Sequence, residues 1–167
     1  KLKNIKYIKT NSLTINTLRK INLKNSIVIS AGSPWIFNEK LIRKFGKHFY
    51  NVHQSPLPSM KGSVVPYIIL YDIRSFQVSL HKVKQKIDSG NIVYRKSFII
   101  PSSLKSPLEI NNFLQKKNRE MVKEFINKIS KKHKLIEEKQ NNFFSNYNIR
   151  LLSNINGWID WNNEVDD

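Results

Sequence analysis

Cysteine is absent from the 167-residue chain, which excludes disulfides, thiolate catalysis and cysteine-based zinc sites. No apolar run approaches the roughly 18 residues of a transmembrane helix. No apolar h-region follows the early lysines either, so the pattern of a signal peptide is missing. Acidic residues are few: 12 Asp plus Glu stand against 29 Lys plus Arg, a net charge of +17. That balance invites a polyanionic partner. Arginine, however, is scarce, with 6 Arg beside 23 Lys, and it is the residue suited to bidentate phosphate and base contacts. A chain rich in Lys, Asn and Ile is what an AT-rich genome encodes, and a solvated basic surface accounts for the charge. Most of the excess lies early. Up to Tyr71, 12 basic residues face one acidic residue, Glu39, while Asp160, Glu164, Asp166 and Asp167 gather near the end.

Against these absences stands a composition that can fold. With 40% hydrophobic and 25% charged residues, the chain has the means to bury one core of ordinary domain size. It starts at Lys1 rather than Met and stops in a polar run, so a piece of a longer protein is expected. Asn4 to Lys9 reads as a short strand, and Leu13, Leu18 and Ile21 are spaced for one helix face. Ser26 to Ala31 is a brief β-branched run typical of a buried parallel strand. Asn38 is placed to cap a helix running through Phe45. Phe49 to His53 is a strand, Pro56, Pro58 and Gly62 force a loop, and Val65 to Tyr71 reads as a short helix. Phe76 to Val83 alternates, and Ile92 to Ile100 returns after a turn at Asp88-Ser89-Gly90. Ser106, Pro107 and Glu109 form the start of the longest helix, with a capping box and Pro at the first position. Its apolar stripe is Ile110, Phe113, Leu114, Met121, Val122, Phe125 and Ile129. Residues 131 to 142 read as a polar helix end or linker. Strands alternating with helices predict an α/β fold.

In open α/β sheets ligands bind at the carboxyl ends of the strands, and here two such ends carry polar groups. Asn51 and His53 are two apart on a strand and share a face. His81 and Asp88 follow on the next strand and its turn. A carboxylate can orient a His that moves a proton, while an Asn amide donates to a developing oxyanion. Each residue also has a plainer reading. A strand His is commonly structural, and Asp-Ser-Gly is commonly only a turn. His53, His81 and Asp88 could also form a two-His, one-carboxylate metal site, although no short ligand motif such as His-x-x-x-His supports it.

Taken together the residues form a pattern. Asn51-Val52-His53-Gln54-Ser55-Pro56-Leu57-Pro58, with Gly62 four residues on, resembles the N-x-H-x-S-x-L-P-x-x-x-G signature of folate-dependent formyltransferases. Downstream, His81 followed after six residues by Asp88-Ser89-Gly90-Asn91-Ile92 resembles that family's second motif. Gly157-Trp158-Ile159-Asp160-Trp161 is similar to a segment found in the branches acting on methionyl-tRNA or on amino sugars. Ser33-Pro34-Trp35-Ile36-Phe37 is closer to the sugar-modifying branch. Gln54 stands where Pro is frequent, and Met60-Lys61 where an Arg or aromatic often precedes Gly62.

The resemblance implies a Rossmann-like formyltransferase fold, a mostly parallel sheet flanked by helices, with the N-terminal strand-helix units of the family missing. It implies a catalytic domain over residues 1–130 and a C-terminal extension over 131–167. By the same resemblance Asn51, His53 and Asp88 are the catalytic residues of a cytoplasmic enzyme that needs no metal and contacts no membrane. The formyl donor is 10-formyltetrahydrofolate, lying along Pro34, Trp35, Ile36 and Phe37 and along the loop that holds Val83 and Ile87. Ser55 and Lys61 are expected on the acceptor side. The implied acceptor is a small primary amine, foremost an amino sugar on a nucleotide carrier, with methionyl-tRNA as the alternative. A non-catalytic, basic nucleic-acid-binding module is the reading from another class, and the shortage of clustered Arg speaks against it.

Overall fold

The computed structural model describes residues 13–18, 23, 26–33, 35–61, 65–131 and 133–141. Ile21, Pro34, Gly62, the strand expected at Asn4 to Lys9 and the Gly157 to Trp161 segment lie outside the described residues. The elements run α1 (Ile15–Leu18), β1 (Val28–Ala31), α2 (Glu39–Phe45), β2 (Phe49–His53), α3 (Val65–Leu70), β3 (Ser75–Lys82), β4 (Ile92–Ile99) and α4 (Pro107–Ser130). Local chemistry sets the boundaries. Asn38 accepts from the Leu41 amide and opens α2. Ser106 accepts from the Glu109 amide while the Glu109 carboxylate accepts from the Ser106 amide, and Pro107 begins the helix. Such a reciprocal cap satisfies two donors that the first turn leaves orphaned.

The four strands form one sheet in the order β1-β2-β3-β4. The expected parallel character is confined, among the described residues, to the β1–β2 pair. β2–β3 and β3–β4 are antiparallel; for β3–β4 the cause is local, since the short turn around Asp88 to Gly90 can reverse the chain but cannot carry it back for a parallel crossover. The sheet is therefore mixed, a Rossmann-like α/β layer with a hairpin at one side.

α4 lies across one face. Its Met121 and Phe125 pack with Tyr50, Val52, Val78, Leu80 and Val93, and Ile110 and Leu114 pack with Val65, Ile68, Phe76 and Ile100. Each such side chain, fully withdrawn from water, contributes about 1.5–3 kcal/mol. On the other face of β2, Phe49 meets Phe37 at 4.9 Å and Phe45 at 4.5 Å between ring centroids, tying α2 to the sheet. The alternation of β2 thus sends Tyr50 and Val52 to α4 and leaves Asn51 and His53 on the α2 side.

The stretch after α4 is not the loose linker its polarity suggests. Glu138 forms an antiparallel bridge with Ile92, exchanging hydrogen bonds of 2.8 and 2.9 Å. Leu135 packs against the α4 core. Glu137 pairs with Lys82 and Asn91, and Arg95 with Glu138. One apolar residue, Leu135, and the adjacent Glu137 and Glu138 tie this segment back onto the hairpin.

Candidate active site

The motif residues meet at the C-terminal end of β2. Unbroken antiparallel register between β2 and β3 sets Asn51 opposite His81, while on the far side of β3 the pairing with β4 shifts by one residue at Leu80 and His81, leaving Val93 as the extra residue of β4. His81 donates from Nδ1 to its neighbour's carbonyl, Lys82 O, at 2.8 Å. Its Nε2 is therefore the lone-pair nitrogen, and it accepts from Asn51 Nδ2 at 3.2 Å. That contact fixes which way the Asn51 amide faces and leaves its second N–H to donate elsewhere.

Asp88 sits between the two histidines. Its Oδ1 is 3.4 Å from His81 Nε2 and its Oδ2 is 3.6 Å from His53 Nδ1, with all three side chains under 10% exposed. The turn that delivers Asp88 is tightly determined. Asp88 itself has φ +49°. A Cβ at Gly90 would lie 1.7 Å from the Lys82 carbonyl oxygen, so only glycine lets the turn press against the end of β3. Gln140, from the returning segment, donates from one Nε2 to Asp88 O at 3.0 Å and to Gly90 O at 2.6 Å.

His53 donates from Nε2 to Met60 O at 3.0 Å, which makes Nδ1 the basic nitrogen. Burial is the largest influence and holds His53 below the ordinary histidine value; Asp88 and the Met60 carbonyl pull it back up, and His81 and Lys61 push it further down. Near pH 7 the ring is neutral, with a site for one proton between Nδ1 and the Asp88 carboxylate.

A cavity of about 370 Å³ opens over these groups, within the usual range for small-molecule sites, roughly 300–1,000 Å³. Trp35, Ile36, Phe37, Val83 and Ile87 line it. Ile36 and Ile87 are 74% and 58% exposed, and with Trp35, 38% exposed, they put apolar surface at this cavity. Asn51, His53, His81 and Asp88 contribute the polar groups. Ser55 and Lys61 are not among the lining residues. Ser55 is fully buried, donating to the same Met60 carbonyl that holds His53 and accepting at its own carbonyl from Ser79 Oγ at 2.7 Å. It steadies the loop beneath His53, a loop that also contains a cis Leu57–Pro58 bond. No three His, Asp or Glu side chains among the described residues are placed to hold a metal ion.

Two groups escape a reading of the motifs. His81 was visible only as a motif's first residue or a metal ligand, whereas it positions the Asn51 amide. The second group is on α4, where Asn111, Gln115 and Asn118 also line the cavity. Their i, i+4, i+7 spacing was the available signal.

No family model matches the sequence. Methionyl-tRNA formyltransferase of Borreliella burgdorferi (strain ZS7) is 30% identical over 151 residues, 89% of this chain and 46% of that protein. Among solved structures, the N-formyltransferase of Helicobacter canadensis, in complex with folinic acid and dTDP-3-aminofucose, superposes with a TM-score of 0.66 at 25% identity, covering 81% of this chain and 49% of that one. The chain belongs to the folate-dependent formyltransferase family. The formyltransferase PseJ of Anoxybacillus kamchatkensis shares the fold, with a TM-score of 0.69 at 18% identity over 96% of this chain and 81% of that one. The chain spans about half the length, or less, of the curated relatives it matches. Among the described residues no helix is long and apolar enough to cross a membrane.

Proposed function

We propose that this chain carries the catalytic centre of an amine N-formyltransferase, which passes the formyl group of 10-formyltetrahydrofolate to a primary amine. Residues 1–130 form the catalytic domain and 131–167 its extension. The observation that carries this reading is the linked series Asn51, His81, Asp88, His53 in a cavity that Trp35, Ile36, Phe37, Val83 and Ile87 also line.

Each group has a task that its surroundings support. Trp35, Ile36, Phe37, Val83 and Ile87 offer the flat apolar surface that the donor's ring system requires. When the amine attacks the formyl carbon, a C–N bond forms and the carbonyl oxygen takes up negative charge. Asn51, its amide held by His81, donates its remaining Nδ2 hydrogen to that oxygen. His53, neutral at rest, accepts the proton leaving the amine at Nδ1, where Asp88 Oδ2 stabilises the imidazolium. Returning that proton to the folate nitrogen lets tetrahydrofolate depart and completes the transfer.

The acceptor is best read as an amino sugar on a nucleotide carrier. Supporting this is the Helicobacter canadensis relative, whose complex holds dTDP-3-aminofucose. Methionyl-tRNA is the second reading, favoured by the curated sequence relatives; under it the +17 would serve RNA binding and make acceptor affinity steeply salt-dependent.

The full-length protein with 10-formyltetrahydrofolate should release tetrahydrofolate with amino-sugar acceptors, and Asn51→Ala should lower the rate about 10²–10³-fold. Absence of turnover with every amine, or undiminished turnover in Asn51→Ala, contradicts the proposal.

A further inference from the structure

Asn111, Gln115 and Asn118 occupy one face of α4, beside the Ile110, Leu114, Met121 and Phe125 stripe that packs onto the sheet. Asn118 stands between Leu114 and Met121, where an apolar residue would continue the core. It is 7% exposed, and its Oδ1 accepts no hydrogen bond among the described residues. Across the same cavity lining, Gln54, the first residue after β2, has a buried Nε2 that likewise finds no partner there. A buried, unpaired amide lowers stability where an apolar side chain would not. The two groups, of opposite hydrogen-bonding sense, belong to side chains that line one cavity, the unpaired atoms themselves being turned away from its open space.

Resting on the formyl-transfer reading, we propose that Gln54, Asn111, Gln115 and Asn118 form the recognition compartment for the acceptor, and that they read the hydroxyls of an uncharged sugar ring. An amide that turns about its terminal torsion exchanges an unpaired, shielded atom for one that faces the cavity, and a hydroxyl can donate to its oxygen or accept from its nitrogen. The cavity's charged side chains, the histidines aside, are Lys84 and Asp88, with Asp88 engaged by His53 and His81, so the four amides offer polarity without net charge. A methionyl side chain in their midst would leave them unpaired, and sites built to hydrogen-bond reject ligands lacking the matching group strongly.

Calorimetric binding of dTDP-3-aminofucose and a UDP-linked 4-amino sugar to the full-length protein tests the compartment apart from the chemistry. Wild type should bind at least one of them, and Asn118→Leu and Gln54→Met should each weaken that binding about tenfold or more. Asn118→Leu should at the same time keep or raise the melting temperature, because the unpaired amide is gone. That opposition of affinity and stability is not expected of a merely structural Asn. If Asn118→Leu fails to fold, Gln54→Met decides alone. Failure of wild type to bind either sugar nucleotide, unchanged affinity in the variants, or preferential turnover of methionyl-tRNA that Asn118→Leu leaves intact overturns the inference. Absence of formyl transfer alongside amide-dependent sugar binding would instead sink only the catalytic reading.

Discussion

The cavity's two walls are built to opposite rules. On the sheet side, the ring and amide groups have partners: Asn51 meets His81, His81 meets Lys82 O and His53 meets Met60 O, while the Asp88 carboxylate stands 3.4 to 3.6 Å from both rings, placed to pair with whichever ring takes up a proton. On the α4 side, Asn118 Oδ1 and Gln54 Nε2 are buried without partners among the described residues. A saturated network holds its geometry before any ligand arrives, which is what charge stabilisation in a transition state requires. An unsaturated wall gains its partners when a ligand binds, which is what selection requires. Ser30 Oγ, on β1, is also unpartnered and lines the same cavity, and Gln140 Oε1 beside the Asp88 turn is unpartnered as well, so the ordered set on this side is the central group of Asn51, His53 and His81 rather than the whole wall.

The harshest way to break this contrast is to disturb the turn on which the saturated wall depends. Gly90→Ala would drive a Cβ to 1.7 Å from a backbone oxygen. Neither backbone can retreat without separating β3 from the Asp88 turn, so a loss of about 1–3 kcal/mol or more is expected. Displacing Asp88 by even an ångström should reduce turnover by about 10²-fold. Thermal melts together with steady-state rates read both, and a variant that melts and turns over like wild type refutes the account of the turn.

Gln140→Ala is the milder probe of the same turn. It removes two hydrogen bonds from the Asp88 and Gly90 carbonyls, each worth about 1 kcal/mol. Since Gln140 touches only backbone there, kcat should fall by up to about tenfold while KM for the amine is little changed. A raised amine KM with unchanged kcat would assign Gln140 to the other wall.

How much of this contrast the sequence disclosed depends on how local each part is. α4 was legible because its cap is written within four residues, Ser106 to Glu109, and its stripe repeats at helical spacing. β2 and the Asn38 cap were legible for similar reasons. The gathering of Asn51, His53 and Asp88 rested on motif resemblance, and the structure does place them together. What stayed hidden was nonlocal. The Asn51–His81 contact depends on antiparallel register across 30 residues, and Gln140 reaches the turn from about 50 residues away. The segment after α4 read as linker because its anchoring side chains are polar and their partners distant. Asn118 was passed over because an amide on a polar helix looks solvated. The clue lay in the break it makes between Leu114 and Met121.

The smallest effect concerns the state in which the saturated wall is saturated at all. His53 has its proton affinity held below the ordinary histidine value of 6.5, chiefly by burial, with Asp88 and Met60 O opposing and His81 and Lys61 adding to it. In the unfolded chain the ring takes up a proton as pH falls through that ordinary value, whereas folded His53 resists until the pH is lower still. Between those two points the unfolded state binds more protons, so stability must decline as pH falls, with no contribution from this group at higher pH. Melting temperatures measured from pH 8 to pH 5 should therefore drop more steeply for wild type than for His53→Gln, and turnover should fade over the same window as the base is lost. If the two proteins show the same slope, or wild type gains stability on acidification, then His53 is not the neutral base of this wall, and the order imposed by Met60 and Asp88 serves an imidazolium instead.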